Sequence, residues 1–307
     1  MSVPAQLGPY DLGQPLGRGG MGTVLRAVHR ESGQAVAIKL ASGSPQSERG
    51  RRLRARLQRE AELGARLQHP GIQAVHSADL AGEPPWIAVE LLEGGTLAER
   101  LERGGPLPIG EALALGRALC AALRHAHAAD VLHRDLKPDN VLFRADGSPV
   151  LIDFGLSVGL EEDAQRMTRT RELVGTPAYM APEQAEGKRS ADRRVDAYGL
   201  GAVLYAALSG EPPLGLERCE TLSEALVALA TRTPRSLRKL RAEVPAGLDA
   251  LVLALLAKQP AERPDLDEVE ARLAALAAGE GLAGGARGAP LALGLAGGLL
   301  VVALALA

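Results

Sequence analysis

Three glycines near the N-terminus have a spacing that suits a phosphate group. Gly17, Gly19 and Gly22 fit the pattern GxGxxG, and Val24 follows two residues later. Backbone N–H groups approach phosphate oxygens closely only where no side chain stands in the way. In a dinucleotide-binding fold a helix follows such a loop, whereas residues 23–28 (TVLRAV) continue as a strand pattern. The spacing therefore favours a hairpin that covers phosphates.

A lysine and a glutamate have the positions of a buried ion pair. Lys39 lies in the otherwise apolar strand pattern 36–40, and a buried ammonium group needs a partner because of its desolvation cost. Glu60 lies on the apolar stripe of a helix predicted over 47–68, so we expect its side chain to point inward. These two charges are predicted to pair, and two unrelated surface charges are the alternative.

Two acidic motifs follow. The first is HRDLKPDN at 133–140, and the second is IDFG at 152–155. With the glycine loop and the lysine before them, in this order, they make the sequence resemble the protein kinase family. The resemblance runs from about Tyr10 to Ala277, and it is nearest to the cytoplasmic domains of bacterial membrane-anchored serine/threonine kinases.

The resemblance implies a role for each motif residue in phosphoryl transfer from ATP. Lys39 binds the α- and β-phosphates and is held by Glu60. Asn140 and Asp153 hold Mg²⁺, for which Mn²⁺ is an alternative. Asp135 is the residue that accepts the proton of the substrate hydroxyl.

Two further residues indicate Ser or Thr as the phosphate acceptor. Lys137, two residues after Asp135, reaches the transferring phosphate in family members that act on Ser or Thr. Thr176, in GTPAYMAPE at 175–183, supports the same class as a substrate-positioning residue. The resemblance therefore implies proteins with Ser or Thr as substrates.

The implied ATP site combines the glycine loop, the lysine strand and a hinge around Glu90 to Leu92. Val89, just before the hinge, is small and predicts an accessible cavity at the rear. The complete predicted set is Leu16, Gly17, Arg18, Gly19, Gly20, Met21, Gly22, Thr23, Val24, Ala37, Lys39, Glu60, Val89, Glu90 and Leu92.

Other motif residues are expected to support the fold. Glu183 and Arg263 resemble the family's buried ion pair, and Asp196 resembles the acid that supports the backbone of the catalytic loop. His133 and Phe154 are predicted to pack in the interior. His127, on the apolar face of its helix, is predicted to be a core histidine with a hydrogen-bond partner.

The sequence also suggests how activity is regulated. Thr168 and Thr170 are spaced like activation-loop phosphosites, and a phosphate there could pair with Arg134. Gly64 lies one turn after Glu60, where kinases more often have a larger apolar side chain. It predicts a loosely held helix and an activity that depends on a partner or a homodimer.

Composition and periodicity give the organisation. The chain has 307 residues, 46% of them hydrophobic, and a net charge of −2, which gives no reason to expect a nucleic-acid partner. About five strands and one helix precede residue 92, and helices are predicted over 109–129, 195–208, 245–257 and 265–277. The predicted fold is α+β and two-lobed, with an N-lobe at 8–92 and a mainly helical C-lobe at 93–277.

The C-terminal residues differ in character. Residues 278–289 are rich in Gly and Ala and predict a linker, and 290–307 contain no charged or polar side chain. Their length suits a single transmembrane helix that anchors a cytoplasmic kinase domain. A soluble apolar tail or a partner-binding segment is the alternative.

Two alternative functions remain. A pseudokinase that acts as a membrane scaffold would explain a loss of Lys39, Asp135, Asn140 or Asp153, but all four are present. A small-molecule kinase would be expected to lack the 181–183 segment and the threonine-bearing loop. We therefore expect an active serine/threonine protein kinase.

Overall fold

The computed structural model describes residues 5–19, 22–41, 46–154, 177–185 and 192–279. The N-terminal part is an antiparallel sheet in the order β1-β2-β3-β4-β6-β5, with one helix, α1, between β4 and β5 along the chain. These elements are β1 (Gln6–Leu7), β2 (Tyr10–Gly19), β3 (Gly22–His29), β4 (Ala35–Leu40), α1 (Glu48–Arg66), β5 (Val75–Asp79) and β6 (Trp86–Glu90).

The sheet has six strands, so the prediction of five is wrong. The additional strand is β1, whose residues Gln6 and Leu7 pair with Asp11 and Tyr10 of β2. Two residues are too few to show the alternation of apolar and polar side chains by which a strand is predicted.

Alternation along β4 places Lys39 on the face covered by α1. Val36, Ile38 and Leu40 pack together on the opposite face of the sheet. Ala37 lies on the α1 face, in a separate apolar cluster with Leu53 and Leu57 of α1. Because successive side chains in a strand point to opposite faces, Lys39 shares the face of Ala37.

Helix α1 begins at a side-chain cap and buries one apolar stripe. The Ser47 hydroxyl accepts a hydrogen bond from the Gly50 N–H at 3.0 Å, which satisfies one of the free N–H groups at the helix start. Leu53 and Leu57 are buried, and most of the remaining positions carry charged side chains. The helix predicted over 47–68 is confirmed within two residues at each end.

The C-terminal part is mainly helical and contains the largest apolar core. Helices predicted over 109–129, 195–208, 245–257 and 265–277 are confirmed within two residues. Strands β7 (Val141–Phe143) and β8 (Pro149–Leu151) form a short hairpin. The motif at 133–140 comes directly before β7, and the motif at 152–155 begins directly after β8. The helices are α2 (Leu97–Gly104), α3 (Ile109–Ala128), α4 (Pro182–Ala185), α5 (Arg194–Ser209), α6 (Leu222–Thr231), α7 (Leu237–Leu240), α8 (Ala246–Leu255) and α9 (Leu266–Ala277).

Helix α5 lies in the core and supports the 133–140 segment. All its residues from Val195 to Leu208 are buried. A Cβ atom on Gly199 would lie 2.8 Å from Cβ of Leu136, so a larger residue at Gly199 would displace that segment. The helix ends at Gly210, whose φ of 79° suits glycine.

Among the described residues, no helix is both long and apolar enough to cross a membrane. The predicted transmembrane segment 290–307 and residues 280–289 of the predicted linker lie outside the described residues. So do Gly20, Met21, Thr168, Thr170 and Thr176.

Candidate active site

Lys39 contacts two carboxylates from distant parts of the chain. Its Nζ atom donates a hydrogen bond to Oε1 of Glu60 on α1, and a second one to Oδ1 of Asp153, after β8, at 2.8 Å. The three side chains are only 7–12% exposed. The predicted Lys39–Glu60 ion pair is therefore present, and Asp153 shares the lysine.

The pKa values of this cluster reflect burial opposed by charge pairing. Burial alone would lower the pKa of Lys39, but the carboxylates of Glu60 and Asp153 outweigh it and raise that pKa. Burial likewise works against the charged form of Asp153, but Lys39 holds the pKa of this carboxyl below its usual value. Lys39 and Asp153 are thus charged at neutral pH.

The 133–140 segment brings three polar side chains together. Nδ2 of Asn140 donates to the backbone oxygen of Asp135 at 2.7 Å and to its Oδ2 at 3.0 Å. Nζ of Lys137 lies 3.1 Å from the same Oδ2 atom. The Asp135 side chain is 32% exposed, so a carboxylate fixed by two neighbours is still accessible to a substrate.

Asp196 on α5 fixes the backbone of this segment. Its carboxylate accepts hydrogen bonds from the N–H groups of His133 at 2.9 Å and Arg134 at 2.7 Å. Nε2 of His127 lies 2.8 Å from Oδ2 of Asp196, which confirms the predicted core histidine with a hydrogen-bond partner. Burial would raise the pKa of Asp196, but the contact with His127 and the backbone N–H groups lower it. The backbone of Arg134 has a φ of 63°, in the left-handed region that is unusual for a residue other than glycine. The hydrogen bond to Asp196 offsets the cost of this conformation.

His133 and Phe154 are buried in the interior, as predicted, and they pack against each other. Their ring centroids are 4.7 Å apart with an edge-to-face angle of 62°, and Nε2 of His133 lies 3.0 Å from the Ile152 backbone oxygen. A cavity of about 20 Å³ adjoins Phe154 and Asp153, room for about one water molecule. Val89 is not part of its lining, so this is not the accessible rear cavity predicted from a small residue at 89.

Asn140 and Asp153 offer oxygen ligands that suit Mg²⁺. The Asn140 amide nitrogen donates its hydrogen bonds to Asp135. The amide oxygen of Asn140 is therefore the atom that can bind a cation. Asp153 is ionised, and its carboxylate carries two oxygens. Mg²⁺ is commonly held by one or two protein oxygens together with phosphate oxygens. The residues present therefore fit this ion.

A family model for the protein kinase domain matches residues 10–272, most of the chain. The chain belongs to the protein kinase family. The resemblance carried by the motifs is thereby confirmed, and the sheet with one helix followed by a helical part fits the two-lobed kinase fold.

Curated relatives of this kinase domain are named serine/threonine-protein kinases. PknD of Mycobacterium tuberculosis is 38% identical over 261 residues, which cover 85% of this chain and 38% of that protein. PkaA of Streptomyces coelicolor is 36% identical over 288 residues, covering 89% and 51%. PknB of Mycolicibacterium smegmatis is 35% identical over 274 residues, covering 86% and 42%. The chain thus spans about two fifths to half the length of these relatives.

Strand register assembles the predicted nucleotide surface of the kinase domain. Gly17, Val24 and Lys39 lie side by side across β2, β3 and β4. Ala37 pairs with Val89 of β6, and both side chains are buried. Three other residues predicted here lie near the glycine loop: Leu16 is 47% exposed, Gly22 has a φ of 112°, and Thr23 is in register with Leu40 of β4. At the predicted hinge, Glu90 is the last residue of β6, and Leu92 follows it.

The predicted ion pair between Glu183 and Arg263 is present and buried. The guanidinium donates two hydrogen bonds to the carboxylate, at 2.5 and 2.7 Å, and Arg263 lies over the ring of Tyr198 at 4.9 Å. Further donor groups of Arg263 reach the backbone oxygens of Arg194 and Ala257. The pair joins the 181–185 region to α5 and to the segment before α9.

Sequence reasoning missed three residues that brace the site. Nε2 of Gln184 donates to the Arg134 backbone oxygen at 2.7 Å, while its Oε1 accepts from the Ala181 N–H at 3.0 Å. Nε2 of Gln73 donates to the backbone oxygen of Glu90 at 2.9 Å, and Arg144 binds the Glu90 side chain. The contacts with Arg134 and Glu90 span 17 to 54 residues of sequence, so no local pattern indicated them.

Proposed function

We propose that this chain is an ATP-dependent protein kinase that phosphorylates Ser and Thr residues of proteins in bacterial signalling. The observation that carries the proposal is the pairing of Lys39 with both Glu60 and Asp153. It joins three motifs that are far apart in sequence into one charged site beside Asp135 and Asn140. A site of this kind suits phosphoryl transfer, in which positioning and charge neutralisation supply most of the catalysis.

Each residue has a defined task in this reaction. The substrate hydroxyl oxygen bonds to the γ-phosphorus, the bond from that phosphorus to the β–γ bridging oxygen breaks, and Asp135 takes the hydroxyl proton. Lys39 binds the α- and β-phosphates, and Lys137 neutralises charge on the transferring group. Bound Mg²⁺ or Mn²⁺ supplies further charge neutralisation, and Asn140 and Asp153 are the residues that would hold it.

Labelling by γ-³²P-ATP and Mg²⁺ tests catalysis. We expect the full chain to transfer label to itself and to a protein such as casein, and Asp135→Asn to reduce the rate by about 100-fold or more. Asp139→Asn is the matched control, because it makes the same change at an exposed position of the same segment and should keep activity. Equal label in the wild type and in the Asp135→Asn variant would contradict the catalytic assignment, and nucleotide binding without any transfer would support the pseudokinase.

The acceptor class needs its own measurement. Lys137 beside Asp135 supports a Ser/Thr enzyme, so acid hydrolysis of labelled protein should release phosphoserine and phosphothreonine. Release of phosphotyrosine alone would contradict this specificity. Label found only in small molecules of a cell extract would instead indicate a small-molecule kinase.

Autophosphorylation at Thr168 and Thr170 is part of the proposal. Arg134 supports it, because its Nε atom is buried and lacks a hydrogen-bond partner among the described residues. A phosphate carries a charge of about −1.5 to −2 at neutral pH and could pair with this guanidinium. After incubation with Mg-ATP, mass spectrometry should find phosphate on one or both threonines. Loop peptides that remain unmodified would refute this part.

Membrane anchoring through 290–307 is proposed from the apolar sequence alone, with the kinase domain on the cytoplasmic face. In membrane fractions, the full chain should resist extraction by high salt and be released by detergent. A chain that ends at residue 289 should be found in the supernatant. Release of the full chain by salt would favour an apolar tail that binds a partner.

Activation through a homodimer, with another partner as the alternative, is proposed from Gly64, which predicts a loosely held α1. Specific activity should then rise with protein concentration, in parallel with the dimer fraction measured by sedimentation. An activity per molecule that does not change with concentration would contradict this proposal.

A further inference from the structure

Arg26 lies on the predicted nucleotide surface, although the kinase motifs assign it no role. It is in register with Ala37 of β4, and Ala37 is in register with Val89 of β6. Residues directly opposite each other in an antiparallel sheet share a face, so Arg26 lies on the face that carries Ala37 and Lys39. Strand β6 leads from Val89 into the predicted hinge. A guanidinium group is therefore placed at the hinge end of this surface.

Arg26 forms an ion pair with a residue just beyond the hinge. Its Nη2 atom donates a hydrogen bond to Oε1 of Glu93 at 3.2 Å, and the two residues are 67 positions apart in the sequence. Glu93 directly follows Leu92, the last residue of the predicted hinge. The two side chains are 42% and 58% exposed. The ion pair thus lies where the predicted nucleotide cleft opens to solvent.

The chain after Glu93 is fixed to the helical part of the protein. The Gly94 N–H donates to the backbone oxygen of Phe143 at 2.8 Å, and the Phe143 N–H donates to the Gly95 oxygen at 3.0 Å. A Cβ atom on Gly94 would lie 2.7 Å from Cβ of Phe143, so this close approach requires glycine. Glu93 is therefore held next to the helical lobe, whereas Arg26 belongs to the sheet. Their ion pair connects the two lobes.

A second feature of Arg26 indicates a ligand. Its Nε atom is buried and has no hydrogen-bond partner among the described residues. A buried donor without an acceptor is unfavourable, so binding of a group that supplies the acceptor is favoured. The ribose hydroxyls and the ring nitrogens of a nucleoside are acceptors of this kind. The phosphates of the same ligand are expected near Lys39 and the glycine loop, away from the hinge.

We infer that Arg26 binds the nucleoside part of ATP through Nε, while Glu93 holds its guanidinium at the open edge of the cleft. Arg26 is then a nucleotide-binding residue, and Glu93 is a positioning residue that acts through it. The pair retains the nucleotide between the lobes and slows the release of ADP. The inference deepens the proposed function and rests on it for the identity of the ligand. It concerns binding alone, so its test needs no phosphoryl transfer.

Dissociation of ADP and of adenosine from the immobilised full chain, followed by surface plasmon resonance with Mg²⁺ present, is the first test. We expect Arg26→Met to release both ligands about 5-fold faster. Because adenosine has no phosphate, an equal effect on the two ligands would assign the contact to the nucleoside. An effect on ADP alone would show that Arg26 acts on the phosphates and would overturn the inference.

Arg124→Met is the matched control. It removes an arginine of similar exposure, 46%, from its ion pair with Asp267, on helix α3 of the other lobe. Both dissociation rates should remain at the wild-type values. Thermal unfolding of each variant should occur at nearly the wild-type temperature, because both arginines lie in solvent-exposed pairs.

Two further variants separate the two contacts of Arg26. Arg26→Lys keeps a positive charge opposite Glu93 but has no counterpart of the Nε donor, so it should still release both ligands faster than the wild type. Glu93→Gln should accelerate release about 2-fold and should have little additional effect in the Arg26→Met chain. At a salt concentration of about 1 M the Glu93→Gln effect should largely disappear, because an exposed ion pair is screened.

The results that contradict the inference differ from those that contradict the kinase function. Wild-type dissociation rates in Arg26→Met, or equal effects of Glu93→Gln with and without Arg26, would overturn the inference and leave an active kinase unaffected. A wild type that transfers no phosphate but shows the expected differences in release would refute the kinase proposal. The role of Arg26 in binding would then remain.

Discussion

Arg144 holds the Glu90 carboxylate with two hydrogen bonds, from Nε to Oε1 at 2.6 Å and from Nη2 to Oε2 at 3.1 Å. Glu90 ends β6, where the predicted hinge begins, and Arg144 follows β7 in the helical lobe. The Glu90 N–H also donates to the Ala74 oxygen at 2.8 Å. A two-point guanidinium contact fixes orientation as well as distance, so the start of the hinge is tied to the helical lobe by this pair.

Loss of the Arg144 contact should weaken nucleotide binding more than it slows the chemical step. For Arg144→Met we expect KM for ATP to rise about 5-fold, which corresponds to about 1 kcal/mol for a half-buried ion pair, with kcat nearly unchanged. Arg100→Met, which breaks the exposed pair with Glu111, is the control. Steady-state kinetics in ATP checks the prediction, and an unchanged KM would contradict it.

Asp196→Asn should reduce both stability and activity. The amide keeps the size of the side chain but replaces the charged carboxylate, whose two oxygens accept hydrogen bonds from the N–H groups of His133 and Arg134. We expect a loss of about 3 kcal/mol in the free energy of unfolding and a lower kcat, because the segment that carries Asp135 is less fixed. Chemical denaturation and kinetics measure the two effects.

The stability effect of Asp196→Asn should depend on pH with a definite sign. The folded pKa of Asp196 is lowered, so its contribution is present above the unfolded value of about 3.9 and is lost as the pH falls through the folded value. The difference between wild type and variant should therefore be largest near neutral pH and shrink in acid. A difference that grows on acidification would show that Asp196 does not act through its charge.

Lys258 should make the protein more stable as the pH rises from about 8. Burial, and then the nearby Arg263, lower its pKa from 10.5 to about 8. Between these values the unfolded chain binds a proton that the folded protein does not, so the free energy of unfolding increases with pH. Lys258→Met should reduce this slope, measured by denaturation at several pH values. Equal slopes for the two proteins would contradict the assignment.

Arg263→Met should be among the most destabilising single changes. It leaves Glu183 as a buried carboxylate without its partner, and breaking a buried pair on one side costs about 3–5 kcal/mol. Arg193→Met, which breaks the exposed pair with Asp130, should cost less than about 1 kcal/mol. Chemical denaturation of both variants tests the contrast. Similar losses in the free energy of unfolding would mean that burial does not decide how much these ion pairs contribute to stability.

Local patterns predicted five of the strands, five of the helices and the motif residues of the site. Alternation in β4 places Lys39 opposite Ile38, and the apolar stripe of α1 turns Glu60 inward. The motif at 133–140 keeps Asp135 and Asn140 within one short segment. These features depend on residues a few positions apart, where strand and helix periods and the spacing of motifs are informative.

Features without a local period were missed. Strand β1 has two residues, and the short helix α7 has four, so neither contains a full repeat of an apolar pattern. Helices α2 and α6 and the β7–β8 hairpin were not predicted either. Gln73, Arg144 and Gln184 are polar residues with no sequence signal to distinguish them from surface side chains. Their partners come from other elements, so only the packed chain identifies them.

The sequence by itself determined the family, the longer elements of the fold and the motif residues predicted to act in phosphoryl transfer, because each is encoded within a short stretch. The tertiary structure decided how those residues meet. Lys39 forms ion pairs with both Glu60 and Asp153, Asp196 supports the segment that carries Asp135, and the Val75 side chain packs against the backbone of Gly64. The reason is physical. Charge pairing and close packing act between atoms within a few ångströms, whatever their separation along the chain.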